Sequence, residues 1–531
     1  MNLTKDILPG RPDRSEKRKR MIFIFSALCL ALAVIGTAGI SSLVQQAPPE
    51  SKEIQAARKI EDLDLRIKEL ERIKAAYPES SLRDLIDRNI LDAKVGLCQT
   101  VEAVDALQRP SLSRGTGFER LDAYYFACDR ILSHPNLDRF DKGQVTAVIE
   151  SYVADYLKAA ADPQVTGEIP ADQKRFIASY TSSLFLFEAQ ARLGQGKADK
   201  ALETLGKYKD AGGPLTAAYS YYLAEARALQ GRTEEALEGY LAAAVDNYKD
   251  SDAKARALWS KLRGTMDGFD ARLEEKWREL PFHPESFAPA GEWKGKTVLA
   301  ELFTGSECPP CVAADLGFDG LLEAGAPRYV AVLEYHLPIP RPDPLMNPAT
   351  RKRQDYYGVS STPSTFFDGE NKSSGGGGKE RAELKFKQYA GAIGTRAAGT
   401  PEVALGVVAA RQDGLVRVDL TMDKIVPGAA YDLALVEKEV RYRGSNGIVF
   451  HKMVVRDLAV VTPAGLTARA VFDLASSESR AVAHLEDFEK EQAFRFKEKI
   501  TAIDPSRLAV VFFVQDEATK KVLNAAYAEV K

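Results

Sequence analysis

The 531-residue sequence predicts a multidomain fold: an N-terminal transmembrane helix, an α-helical solenoid, an α/β domain and a C-terminal antiparallel β-sandwich. Three observations predict it. Residues 21–44 carry no charge and follow a basic stretch. Residues 51–285 are rich in Ala, Leu, Glu, Lys and Arg at helical spacing, with Gly and Pro gathered at breaks. From residue 291 the pattern changes to strands around one helix, and from residue 400 to short strands of alternating polarity. At ~100–200 residues per domain the length itself asks for about three cores.

Charge narrows the function classes. Lys and Arg total 72 against 75 Asp and Glu, a net charge of −3. That balance leaves no broad basic surface for a phosphate backbone, so nucleic acid is not an expected partner. Hydrophobic residues at 45% and charged residues at 28% exclude wholesale disorder and a polytopic membrane protein.

Residues 1–20 form a basic tail, with Lys5, Arg11, Arg14, Lys17, Arg18, Lys19 and Arg20 against Asp6, Asp13 and Glu16. At ~1.5 Å per residue, a helix over 21–44 reaches roughly 36 Å, enough for a ~30 Å hydrocarbon core. The basic flank stays cytoplasmic by the positive-inside tendency. This reading gives a single-pass protein of a bacterial-type cell membrane, anchored through 21–44, with its C-terminal domains outside the cytoplasm. A cleavable signal is the alternative, with small residues at Gly36, Thr37 and Ala38, and makes the protein secreted or periplasmic. Cys29 sits inside the run after the bulky Leu28, which argues against a lipidation site. Either route exports the remaining cysteines to an oxidising compartment. There Cys98 and Cys128 form a bridge or remain two buried thiols.

Within 51–285, Ile60, Leu63, Ile67 and Leu70 make an amphipathic helix too short for a coiled coil. LGQGKADKAL at 193–202 recurs as ALQGRTEEAL at 228–237, an offset of 35 residues. This pattern resembles tetratricopeptide repeats, whose period is about 34, with Gly at the inter-helix turn and a small residue, here Ala201 and Ala236, where helices pack closely. The resemblance implies a protein partner on the helical repeats. Tyr208, Tyr219, Tyr221 and Tyr222 either line that surface or fill the core.

Residues 291–395 carry the chemistry. A strand at 297–303 leads into TGSECPPC at 304–311, a helical run follows to 323, then a strand at 329–335 and, later, GVSSTPSTFFDG at 358–369. Two cysteines at this spacing close a small ring. At a helix start the first sulfur faces orphan N–H groups and the positive end of the dipole, which favour its thiolate. Pro309 and Pro310 suit the first turn but remove two of those donors, so the depression of the thiol's pKa is moderate.

CxxC between strand and helix, with a Thr-Pro step before a later strand, resembles the thioredoxin superfamily. The resemblance implies that Cys308 attacks, that Cys311 resolves the mixed disulfide, and that Pro363 is cis and presents the Thr362 backbone to a protein thiol or disulfide. Glu301 lies one residue from the position at which that family places a buried acid serving Cys311. It is either such a base, with a pKa raised by burial, or a solvated edge residue. His336 ends the second strand and can tune the thiols, but two Cys and one His lack a readable fourth ligand, so neither a metal nor a cofactor is expected. The proline-rich stretch 337–348 reads as a rigid loop over the site or a plain connector. The run SSGGGGK at 373–379 departs from the phosphate-loop pattern and reads as a flexible loop.

Strand-like runs at 402–409, 415–422, 430–437, 449–458, 467–474 and 508–515 suggest a β-sandwich over 400–531. His451 and His484 there show no metal-ligand spacing. Two functions follow. One is an exported, membrane-tethered thiol–disulfide oxidoreductase acting on protein disulfides through Cys-Pro-Pro-Cys. The other is a redox-inert scaffold that binds protein partners in the cell envelope.

Overall fold

A computed structural model of the protein describes residues 48–112, 117–167, 169–325 and 329–531. The basic tail and the 21–44 segment lie outside these residues. Among the described residues no helix is long and apolar enough to cross a membrane.

The chain divides into two compact units between Leu97 and Cys98. In the first, helices Glu50–Ala57, Leu63–Ala76 and Arg83–Gly96 bury Ile54, Leu70, Ile73 and Ile86 in a small core. The second unit holds the rest, and its helical part runs from Val101–Leu112 to Phe269–Arg278. The repeated segments make equivalent turns. Gly196 joins Ala171–Gly194 to Ala198–Asp210, and Gly231 joins Ala217–Leu229 to Thr233–Ala244, at φ +72° and +76° respectively. Ala201 and Ala236 are fully buried, and a Cβ on Gly239 would stand 2.9 Å from that of Ala224, so small residues set the helix spacing. Tyr208, Tyr219, Tyr221 and Tyr222 are all buried in this core. Cys98 and Cys128 are unbridged, and Cys128 is fully buried.

The strands are β1 (Val298–Thr304), β2 (Val330–His336), β3 (Ser364–Phe367), β4 (Glu370–Ser374), β5 (Leu405–Gln412), β6 (Leu415–Met422), β7 (Ala429–Arg441), β8 (Phe450–Val460), β9 (Thr467–Asp473), β10 (Leu508–Asp516) and β11 (Val522–Glu529). They build one eight-stranded mixed sheet, ordered β11-β10-β7-β8-β2-β1-β3-β4, and a three-stranded sheet, β5-β6-β9.

This corrects the predicted architecture. There is no α/β domain followed by a separate antiparallel sandwich, because four strands from 400–531 extend the sheet that β1 begins. The physical reason lies in β10, whose residues are buried on both faces. Ala509, Val511 and Phe513 join the core shared with β1 and β2, while Val510, Phe512 and Val514 join a second core beneath β5, β6 and β9. A strand sealed on both faces must lie between two cores, and β10 does so as an interior strand flanked by β11 and β7. The same region also contains the helix Leu474–Glu491.

The two halves of the large sheet meet at β2 and β8 through one parallel pair, Glu334 with Val454. Side chains reinforce this seam. Arg353, on the helix Pro348–Tyr357, bonds Glu301 of β1 and, at 2.8 Å, Gln515 of β10. The Asn347 amide donates to the Val455 carbonyl at 2.7 Å.

Candidate functional site: a covered disulfide

β1 delivers the chain to Gly305, where a Cβ would lie 3.1 Å from the Ile339 carbonyl and 3.2 Å from that of Leu337. A turn closed by Cys308 N–H on Gly305 O, 3.1 Å, sets Cys308 in extended backbone. Pro309–Cys311 form a 3₁₀ turn that leads into the helix Val312–Ala324. Cys308 thus stands one turn outside the α-helix. Cys308 and Cys311 are joined as a disulfide, with Cα atoms 5.4 Å apart. The Thr362 hydroxyl lies 3.3 Å from Cys308 Sγ and 2.8 Å from the Ile339 carbonyl. Thr362–Pro363 and Ile339–Pro340 are both cis. Three of the four predicted site residues, Cys308, Cys311 and Pro363, are therefore gathered in one place.

Glu301 is not among them. Along β1 side chains alternate between faces, and Thr304 reaches the helix Val312–Ala324 by donating to Asp315 Oδ1 at 2.5 Å. Glu301, three residues earlier, faces the other way. It accepts from Arg353 Nε at 2.6 Å and Nη2 at 3.0 Å, from Tyr357 at 2.7 Å and from Tyr335 at 3.1 Å. Fully buried and four times bonded, Glu301 ties β1 to β2 and to the helix Pro348–Tyr357 on the face opposite Thr304.

The acids on the thiol side are different ones. Asp315 follows Cys311 by four residues, hence about one helical turn and ~6 Å along the same face. Burial pushes its carboxyl well above the ordinary range, reinforced by Asp319 and Asp343. Burial likewise raises Glu334, with Asp315 and Asp319 adding to it, and raises Asp319 to about 7. Asp315 Oδ2, Glu334 Oε1, His336 Nε2 and Ser306 Oγ are buried without a hydrogen-bond partner. A buried carboxyl with a raised pKa and one unpaired oxygen, one helical turn beyond Cys311, suits, in its ionised form, acceptance of that thiol's proton. Its signal in the sequence is the fourth residue after Cys311.

His336 pairs with Asp343, both fully buried, at 3.0 Å. Asp343 also accepts the Ser306 N–H at 2.6 Å and the Leu345 N–H at 2.8 Å. Against the penalty of burial, His336 and these two donors hold its carboxyl below the usual range. The proline-rich loop thus braces the CxxC turn from below. The His451 ring stands 4.9 Å from that of His336, and burial, aided by His336, presses it down to about 3. Among the described residues no group of three or more His, Cys, Asp or Glu is arranged to hold a metal ion.

The glycine run has a fixed place. Gly377 N–H donates to the Pro310 carbonyl at 2.7 Å, and Ala313 N–H donates to Gly377 O at 2.9 Å. A Cβ on Gly376 would stand 1.6 Å from Pro310 O and 2.9 Å from Pro363 Cγ. Only a residue without a side chain lets this loop lie on the CxxC turn and the cis-proline together. A second cover comes from the β7–β8 connection, where Asn446 bonds Ser306 and Gly305. Under these covers both cysteines are 0% exposed, although Pro309 and Pro310 reach solvent.

No protein-family model and no curated protein matches the sequence. Among solved structures, HBP35 of Porphyromonas gingivalis overlaps 45% of this chain and 76% of its own, at 14% identity and a TM-score of 0.30. A superposition that shallow decides neither fold nor function.

Proposed function

We propose that this protein is a thiol–disulfide oxidoreductase acting on protein disulfides outside the cytoplasm, with a site resembling that of the thioredoxin superfamily. The observation that carries the reading is the Cys308–Cys311 pair set against Thr362 and the cis peptide of Pro363. In the reduced protein the Cys308 thiolate attacks one sulfur of a partner's disulfide, forming a mixed disulfide and releasing the partner's other sulfur as a thiolate. Cys311 then gives its proton to Asp315 and attacks Cys308 Sγ. The second partner sulfur leaves and is protonated, and the Cys308–Cys311 bond re-forms. Two electrons pass to the partner, and a dithiol donor must restore the pair. Run in reverse, the same steps oxidise a partner dithiol.

A second reading, the redox-inert scaffold, is favoured by the complete burial of both cysteines. Reduction of insulin by the full chain with dithiothreitol separates the two. The oxidoreductase accelerates precipitation of insulin chains and Cys308→Ser abolishes the gain. A wild-type rate equal to that of Cys308→Ser selects the scaffold.

A further inference from the structure

We infer that the β7–β8 connection, residues 442–449, is a strap that shuts the disulfide and is operated from the helical region. The inference rests on the oxidoreductase reading and supplies its regulation.

The strap grips the three residues before Cys308. Asn446 N–H donates to Ser306 O at 3.1 Å, and its side-chain amide donates to Gly305 O at 3.2 Å. Ser445 N–H and the Tyr442 hydroxyl both reach Glu307 Oε1, at 3.3 Å and 3.4 Å. Gly444 lies so close that a Cβ would stand 2.4 Å from Ser306 O. The strap is internally formed, with Asn446 Oδ1 accepting the Ile448 N–H at 3.0 Å and Gly447 at φ +92°. It therefore keeps its shape when its grip on the CxxC turn is released.

The same strap is tied to the helices. Arg443 Nη2 donates to the Val245 carbonyl at 2.9 Å, and Arg441, the last residue of β7 just before the strap, pairs with Glu274 at 3.1 Å. Asp246, the next residue after Val245, pairs at 2.6 Å with Lys379, which directly follows the glycine run. One turn of the helical region thus touches both covers of the disulfide. These ties are polar and largely exposed, the class of contact that opens at small cost. A protein bound on the helices that displaces residues 245–246 frees both covers together. Cys308 then becomes reachable when a partner is present and stays shut otherwise.

The test is the rate at which a water-soluble phosphine reduces the Cys308–Cys311 bond in the full chain, read by maleimide mass labelling. Loss of the Asn446 amide bond weakens the closed state, so Asn446→Ala is expected to raise the rate about ten-fold and Arg443→Ala several-fold. Arg469→Ala, on β9, leaves it unchanged. Melting temperatures taken alongside identify any variant that is loosened throughout, and amide exchange at Asn446 in the wild-type chain then reports strap opening directly. The inference is overturned if Asn446→Ala reduces within two-fold of wild type, or if the Asn446 amide exchanges only with global unfolding. Insulin turnover stands apart from this measurement. A faster phosphine rate without turnover keeps the strap and removes the enzyme, whereas turnover with an unchanged phosphine rate does the opposite.

Discussion

Gly376→Ala tests how tightly the glycine run seals the site. The new methyl would lie 1.6 Å from Pro310 O, against a shortest tolerated approach of 3.0 Å, so the loop must retreat by 1.4 Å. The 2.7 Å bond from Gly377 to Pro310 then stretches to 4.1 Å and is lost, and the neighbouring bond from Ala313 goes with it. Two net hydrogen bonds at ~0.5–1.5 kcal/mol each, plus ~1–3 kcal/mol of overpacking, sum to about 2–6 kcal/mol. Gly375→Ala is the control. It has open space but sits at φ +83°, a left-handed strain of ~1–2 kcal/mol without loss of contact. Urea unfolding of both variants with the disulfide intact gives the comparison. A Gly376→Ala midpoint at or above that of Gly375→Ala refutes the packing argument.

Glu301→Gln leaves Arg353 buried without its charge partner and is expected to cost ~3–5 kcal/mol in urea unfolding, with thiol-exchange rates per folded molecule unchanged. A selective fall in that rate would restore Glu301 as the base. Asp315→Asn should slow resolution of the mixed disulfide by ~10²-fold or more, measured by single-turnover quenching. It also has a pH signature. A carboxyl whose pKa is raised on folding opposes folding increasingly as pH climbs above its unfolded value of ~3.9, so Asp315→Asn gains stability over wild type at pH 8 and not at pH 4. Asp319→Asn shows the same sign, with its gain developing between pH ~4 and about 7.

The local elements were legible where patterns are simple. β6 alternates buried and exposed residues, and the strand, CxxC, helix and Thr-Pro order is explicit in the sequence. The merged sheet was not. β10 is apolar at nearly every position because both faces are covered, and an apolar run by itself does not say which sheet it joins. Glu301 was misjudged for a related reason. Every residue of β1 is buried, so nothing in the sequence reveals which face a given side chain takes. Asp315 was readable from its spacing to Cys311. The glycine run suggested freedom because permissive backbone also permits close contact, and Pro310 is distant in sequence.

The account depends most on Cys308 capturing a partner. Reduced Cys311→Ala protein incubated with a disulfide-containing protein should accumulate a one-to-one covalent adduct through Cys308, reversed by dithiothreitol and lost with Cys308→Ser. If no adduct forms while the same Cys308 thiol is alkylated readily by a small maleimide, the sulfur is accessible but not an exchange centre, and the proposed function is contradicted.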